Sequence, residues 1–180
     1  MKRIFLILIF IMLTNINTKS QTTVLHFKRV KGINIDLKLS KNFIGYHVGY
    51  LYCLSDKFIF NQNLLYGQKT LEYTLGKQYL SESDILFIFF NKKNIYFNAI
   101  SGFSLGWENL QSRVENENKN NFLFYYNIGL QTRYYYKNIG INITCRELLG
   151  NSKIDKSYLE LGIGLTYMFT MSVNKKARKL

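Results

Sequence analysis

The segment from Tyr158 to Phe169 constrains the fold of this chain more than any other. Its alternate positions carry Leu159, Leu161, Ile163, Leu165, Tyr167 and Phe169, and the intervening ones carry Tyr158, Glu160, Gly162, Gly164, Thr166 and Met168. A period of two marks a β-strand. One face is large and apolar without a break, whereas the other is small or polar, which inverts the arrangement of a soluble core strand. The pattern predicts a strand with lipid outside and a crowded polar interior. Leu159, Leu161, Ile163, Leu165 and Phe169 are therefore expected to face lipid.

The N-terminus agrees with an envelope location. Lys2 and Arg3 precede an apolar run from Ile4 to Leu13 and then a polar stretch from Thr14 to Ser20. That is the layout of a secretory signal peptide, with Thr18 and Ser20 as the small residues before a cut at Gln21. The run is too short to span as a helix, which needs roughly 20 apolar residues. No cysteine lies near the cut, which disfavours a lipid-anchored lipoprotein.

What remains after the signal suits one domain rather than two. The chain has 14 Tyr, 14 Phe and 1 Trp with no Pro, a mixture that favours long strands and aromatic belts over helices. Loss of Lys2, Arg3 and Lys19 lowers the net charge from +13 to +10. The basic residues are spread along the whole chain, which argues against a nucleic-acid footprint. Cys53 and Cys145 are far apart in sequence and establish no disulfide framework.

Period-two alternation recurs in eight segments: Gly32 to Ser40, Phe43 to Leu54, Lys57 to Gln68, Gln78 to Phe90, Ile95 to Trp107, Phe122 to Tyr136, Ile139 to Leu148 and Ser157 to Phe169. Connections two, four and six are tight, and three, five and seven are longer, with only the first breaking the alternation. Outer-membrane barrels alternate short periplasmic turns with longer extracellular loops. The expectation is an all-β, eight-stranded antiparallel outer-membrane β-barrel over residues 32–169, after a signal peptide (1–20) and a periplasmic segment (21–31). A basic tail (170–180) follows. Strand one must pair with strand eight, because an open sheet edge in hydrocarbon leaves backbone groups unsatisfied. Eight strands enclose only enough room for side chains, so a general porin is not expected.

Taking Glu160 as inward, the alternation assigns Asn127, Gly129, Gln131 and Arg133 on strand six and Gly140, Asn142, Thr144 and Arg146 on strand seven to the lumen. Strand one contributes Asn34, Asp36 and Lys38. Folding the hairpin at Lys137-Asn138 puts Gly129 opposite Arg146, with room for the guanidinium to lie across the lumen and meet Glu160. Arg133, Arg146, Glu160, Asp36 and Lys38 are expected to form a structural plug of paired charges, since unpaired buried charge is costly.

Catalytic signals are sparse. His26 and His47 are the only histidines, and no spacing assembles a metal cluster, so neither metal nor cofactor is expected. No G-x-S-x-G turn is present for a lipid hydrolase, and the glycines of Gly102-Phe-Ser-Leu-Gly106 lie within a strand. His47 shares alternate positions with Phe43, Gly45, Gly49 and Leu51, a mixed face that fits either side of the wall.

The closing hairpin resembles the TraO family of conjugal transfer proteins, encoded by integrative conjugative elements of Gram-negative bacteria. The resemblance rests on Arg146-Glu147, Leu149, Gly150, Ser152, Lys156 and Leu161-Gly162-Ile163-Gly164, with a second patch from Ile95 through Ser104-Leu105-Gly106 to Trp107-Glu108-Asn109. It covers nearly the whole mature chain, as a pattern. It implies a non-enzymatic outer-membrane component of a conjugative, type IV secretion-like DNA-transfer apparatus. The implied partners are outer-membrane lipid and other subunits of that apparatus. The barrel is too narrow for DNA, so no direct nucleic-acid contact is expected and the role is a structural or anchoring one, holding or contacting other envelope subunits. This chain departs from the family in its basicity, its short first connection and a tail carrying Lys175, Lys176, Arg178 and Lys179, which could contact a partner or anionic lipid. The alternative is a free-standing small barrel for adhesion or small-ligand binding.

Overall fold

The computed structural model describes residues 30–71, 74–92, 94–112, 118–152 and 157–169. The expected signal peptide (1–20), the segment up to residue 29 and the tail from 170 onwards, including Lys175, Lys176, Arg178 and Lys179, lie outside the described residues.

Eight antiparallel strands run in order: β1 (Lys31–Ser40), β2 (Phe43–Cys53), β3 (Phe58–Leu71), β4 (Thr74–Lys92), β5 (Ile95–Ser112), β6 (Asn118–Tyr136), β7 (Ile139–Gly150) and β8 (Ser157–Phe169). Each pairs with its neighbours, and β1 pairs with β8, so the sheet closes into a barrel with no free edge along the paired ladder. From Lys31 the register passes through Tyr52, Phe60, Ile85, Ser101, Ile128 and Glu147 to Leu159. Leu161 pairs with Leu39, so Leu159 is in register with position 41 and the circuit climbs by the ten residues between 31 and 41. Spread over eight strands, that stagger tilts them by roughly 40° to the axis.

The wall sorts side chains by parity. Outward positions on β8 are half-exposed, with Ile163 at 53% and Leu165 at 59%, and the same holds for Ile141, Ile143, Ile128, Ile85 and Leu64. In water such a surface would be untenable, and in hydrocarbon it is the stable one. Outward aromatics gather in two belts. The outer belt holds Tyr46, Tyr79, Trp107, Phe122 and Phe124, and the periplasmic belt Phe58, Phe90, Tyr134, Tyr136, Tyr167 and Phe169. The belts stand about nine residues apart along tilted strands, or roughly 22 Å, close to the apolar height of such barrels. A bulge between Ile88 and Phe90 on β4 flips the parity, which is why Phe90 joins the belt although Ile88 faces inward.

Strands β3 to β6 are longer than the alternation predicts. Lys69 to Lys77 and Glu108 to Asn121, expected as long loops, are largely strand: β3 continues to Leu71, β4 begins at Thr74, β5 reaches Ser112 and β6 starts at Asn118. Above the membrane both faces of a hairpin are wet, so polar residues on both sides continue the ladder and erase the alternation. The Asn109 to Asn120 side-chain hydrogen bond (2.8 Å) is one such polar cross-strand contact. Glu108, which the alternation leaves in the long fifth connection, is buried in the upper lumen, where it accepts from Gln78 (2.9 Å) and Ser152 (3.4 Å). Lys119 is exposed on β6, and Glu115 and Glu117 lie outside the described residues. At the other end the barrel begins one residue earlier than expected, at Lys31, with Val30 bonded through its carbonyl to the Cys53 amide (2.9 Å).

Candidate functional site

The lumen is layered. Its outer end is closed by Phe43, Leu65, Leu80, Leu123, Tyr125 and Leu148, with Tyr158 packed on them. The periplasmic end is closed by Val30, Leu51, Cys53, Ile59, Leu86, Ile88, Tyr96, Tyr135 and Met168, among others. Between these two apolar layers lies a band of buried polar and charged side chains, and at its centre sits Arg146.

Arg146 projects from β7 into space left by Gly129, its partner on β6, where any Cβ would collide with the Arg146 stem. Its Nε donates to Glu160 Oε1 of β8 (2.6 Å). Its Nη1 and Nη2 donate to Glu82 Oε2 and Oε1 of β4 (2.8 Å each), a two-pronged bond across the lumen. Asp84 Oδ2 lies 3.5 Å from Nη1. Glu82 Oε2 also meets His47 Nε2 of β2 (2.6 Å), and His47 Nδ1 lies 3.3 Å from Asp36 Oδ2 of β1. Asn34 and Asn142 donate to the two Asp36 oxygens (2.8 and 2.9 Å), and Asn127 donates to Asp84 (2.9 Å). Lys38 lies 3.8 Å from Glu160.

One connected network thus ties β1, β2, β4, β6, β7 and β8 together through the barrel centre. Asp36 and Lys38 stand over Gly164 and Gly162 of β8, where a side chain would fill their space. Isolated charges would be very unfavourable here. Forked geometry and multiple acceptors per donor make the buried arrangement tolerable.

Of the charged lumen residues expected from sequence, Asp36, Lys38, Arg146 and Glu160 come together in this network. Arg133 does not. It is buried in the lumen, but towards the periplasmic end, beside its cross-strand partners Tyr96 and Asn142. No carboxylate among the described residues pairs with it. Leu159, Leu161, Ile163, Leu165 and Phe169 are placed on the outer face.

Sequence reasoning missed His47, Glu82 and Asp84. The β4 stretch Leu80-Ser-Glu-Ser-Asp-Ile85 is polar on both faces, since Ser81 and Ser83 point outward and bond with Gln62 (3.0 and 2.6 Å). Alternation alone could not choose a side there. Folding β3 and β4 as a hairpin and demanding a partner for Arg146 would have. Cys53 faces the lumen and Cys145 the outside, and both are free thiols, because opposite faces of a sheet cannot be bridged.

Chemically, the network can brace but offers no nucleophile. His47 is flanked by two carboxylates and has no hydroxyl or thiol partner, while the buried Ser104 hydroxyl bonds only with the Asn127 carboxamide. Among the described residues no group of three or more His, Cys, Asp and Glu is placed to hold a metal ion.

A closed eight-stranded barrel with an apolar exterior between two aromatic belts and an ion-paired interior defines a small outer-membrane β-barrel protein of the Gram-negative envelope. Solved structures of that class resemble it closely in fold. The N-terminal β-barrel domain of OprF from Pseudomonas aeruginosa superposes with a TM-score of 0.59 at 18% identity, over 79% of this chain and 98% of that one. Neisserial surface protein A gives 0.61 at 11% identity, over 78% and 95%. Ail, the attachment invasion locus protein of Yersinia pestis, gives 0.54 at 16% identity, over 79% and 100%. No protein-family model matches the sequence, and no curated protein matches it.

Proposed function

We propose that this protein is a non-enzymatic outer-membrane component that acts through its surfaces, as an anchoring subunit of a conjugative DNA-transfer apparatus. One observation carries the non-conducting part of this reading. Two apolar layers close the lumen and a cross-braced ion-pair network fills the space between them, leaving no route for a solute or a strand of DNA. A barrel filled in this way is a rigid post in the membrane. The conjugative context comes from the TraO-like pattern around Arg146-Glu147 and Leu161-Gly162-Ile163-Gly164.

A second reading, adhesion, is favoured by the tall side of the barrel. Strands β4, β5 and β6, of 18 or 19 residues, project their polar hairpins beyond the outer belt. Ail has been solved with a heparin analogue, sucrose octasulfate.

The deciding measurement is the transfer frequency of the host element after a clean in-frame deletion, with and without a complementing copy. A large complemented loss is the expected result. Unchanged transfer together with lost binding of the deletant cells to a heparin-coated surface would replace the first reading by the second.

A further inference from the structure

The barrel rim has a notch on one side. The β1–β2 turn is only Lys41-Asn42, whereas β8 begins at Ser157, and the β1–β8 ladder stops at Leu39 and Leu161. The edge of β8 above Leu161 therefore has β7 on one side and no β1 partner on the other. A cavity of about 550 Å³ occupies this gap, lined by Lys41, Lys69, Ser157, Tyr158, Leu159 and Leu161 among others. The lining mixes both sides of the wall: Leu159 and Leu161 face outward, while Tyr158 packs inward against Phe43 and Tyr125. The notch thus opens through the wall into the outer leaflet.

Its height is set by the register. The ten-residue stagger, spread evenly over eight strands, puts Lys41 level with Tyr79 and Phe124 of the outer aromatic belt, the boundary between headgroups and acyl chains. At this level an exposed ammonium at Lys41 and an exposed hydroxyl at Ser157 stand above the bare leucine surface of Leu39, Leu159 and Leu161. The Lys69 ammonium lies over the Tyr158 ring, 5.4 Å from its centroid, at the back of the gap.

We propose that the notch is a binding site for a phosphorylated, acylated lipid of the outer leaflet, with a headgroup phosphate at Lys41 and Ser157 and an acyl chain along Leu159 and Leu161. Cation, hydroxyl and apolar wall are stacked in the order in which such a molecule presents phosphate and chain, and at the depth where it sits. This proposal is independent of the role in transfer or adhesion.

The test is native mass spectrometry of the refolded full chain in detergent, titrated with lipid A and with enzymatically dephosphorylated lipid A. Lys41→Gln removes the cation, Ser157→Trp fills the notch without changing charge, and Lys137→Gln in the periplasmic β6–β7 turn is a control of equal charge. Heat-modifiable gel migration confirms that each variant is folded. The expected result is a retained lipid A adduct that weakens about tenfold in Lys41→Gln and Ser157→Trp, is unchanged in Lys137→Gln, and is weak for the dephosphorylated lipid. Equal weakening by Lys41→Gln and Lys137→Gln, or equal retention of both lipids, would overturn the site. If Ser157→Trp does not fold, Lys41→Glu takes its place and should lose the adduct altogether.

Discussion

Replacing Arg146 with Met keeps an unbranched stem out to the position of Nε and removes the charge that the lumen is built around. The guanidinium makes three hydrogen bonds of 2.6 to 2.8 Å to Glu160 and Glu82 and stands 3.5 Å from Asp84. Without it, Glu82 retains only His47, and Glu160 retains only Lys38 at 3.8 Å. Removing one partner of a buried ion pair leaves an uncompensated charge and costs about 3–5 kcal/mol. At roughly 1.4 kcal/mol per decade, the folded-to-unfolded ratio should fall by at least about a hundredfold. Urea unfolding of the protein refolded in lipid vesicles reads this directly, because the single Trp107 sits on the outer belt and reports membrane insertion by fluorescence. Adding Glu82→Gln to Arg146→Met should recover part of the loss, since the orphaned carboxylate is then gone. A loss below about 1 kcal/mol in Arg146→Met, or no recovery in the double variant, would refute a charge-braced lumen.

Arg133→Met should behave in the opposite way, with unfolding unchanged or shifted to higher urea, because no carboxylate is left behind and an apolar side chain suits the periplasmic layer. Ile163→Arg should cost about 2–4 kcal/mol and deplete assembled barrel on heat-modifiability gels, since this outward residue lies near mid-bilayer. Thr166→Arg is buried and should act through lumen crowding instead, so equal tolerance of both would invalidate the assigned faces. Gly129→Val should abolish assembly, because its side chain would occupy the space of the Arg146 stem. Gel mobility of the intact protein should be the same with and without reductant, as Cys53 and Cys145 point to opposite sides of the wall.

Sequence alone determined the strand number, the closed topology and the lipid face, and the reason is periodicity. In hydrocarbon every outward position must be apolar and every backbone group paired, so eight alternating runs leave little freedom. It also set Gly129 opposite Arg146, because a two-residue turn at Lys137-Asn138 fixes the β6–β7 register, and it put Glu160 on the same lumen face by alternation along β8. Alternation fails where both faces share a polarity. On β4 the serines beside Glu82 and Asp84 hid the lumen face, and above the membrane the wet hairpins of β3 to β6 looked like loops. Only closure could decide the rest. That Arg146 reaches β4 across the lumen, that His47 bridges Asp36 and Glu82, that Arg133 stands apart, and that a notch opens beside Lys41 all follow from the ten-residue stagger of the closed barrel. Stagger is a property of the whole circuit of strands, and no single strand encodes it.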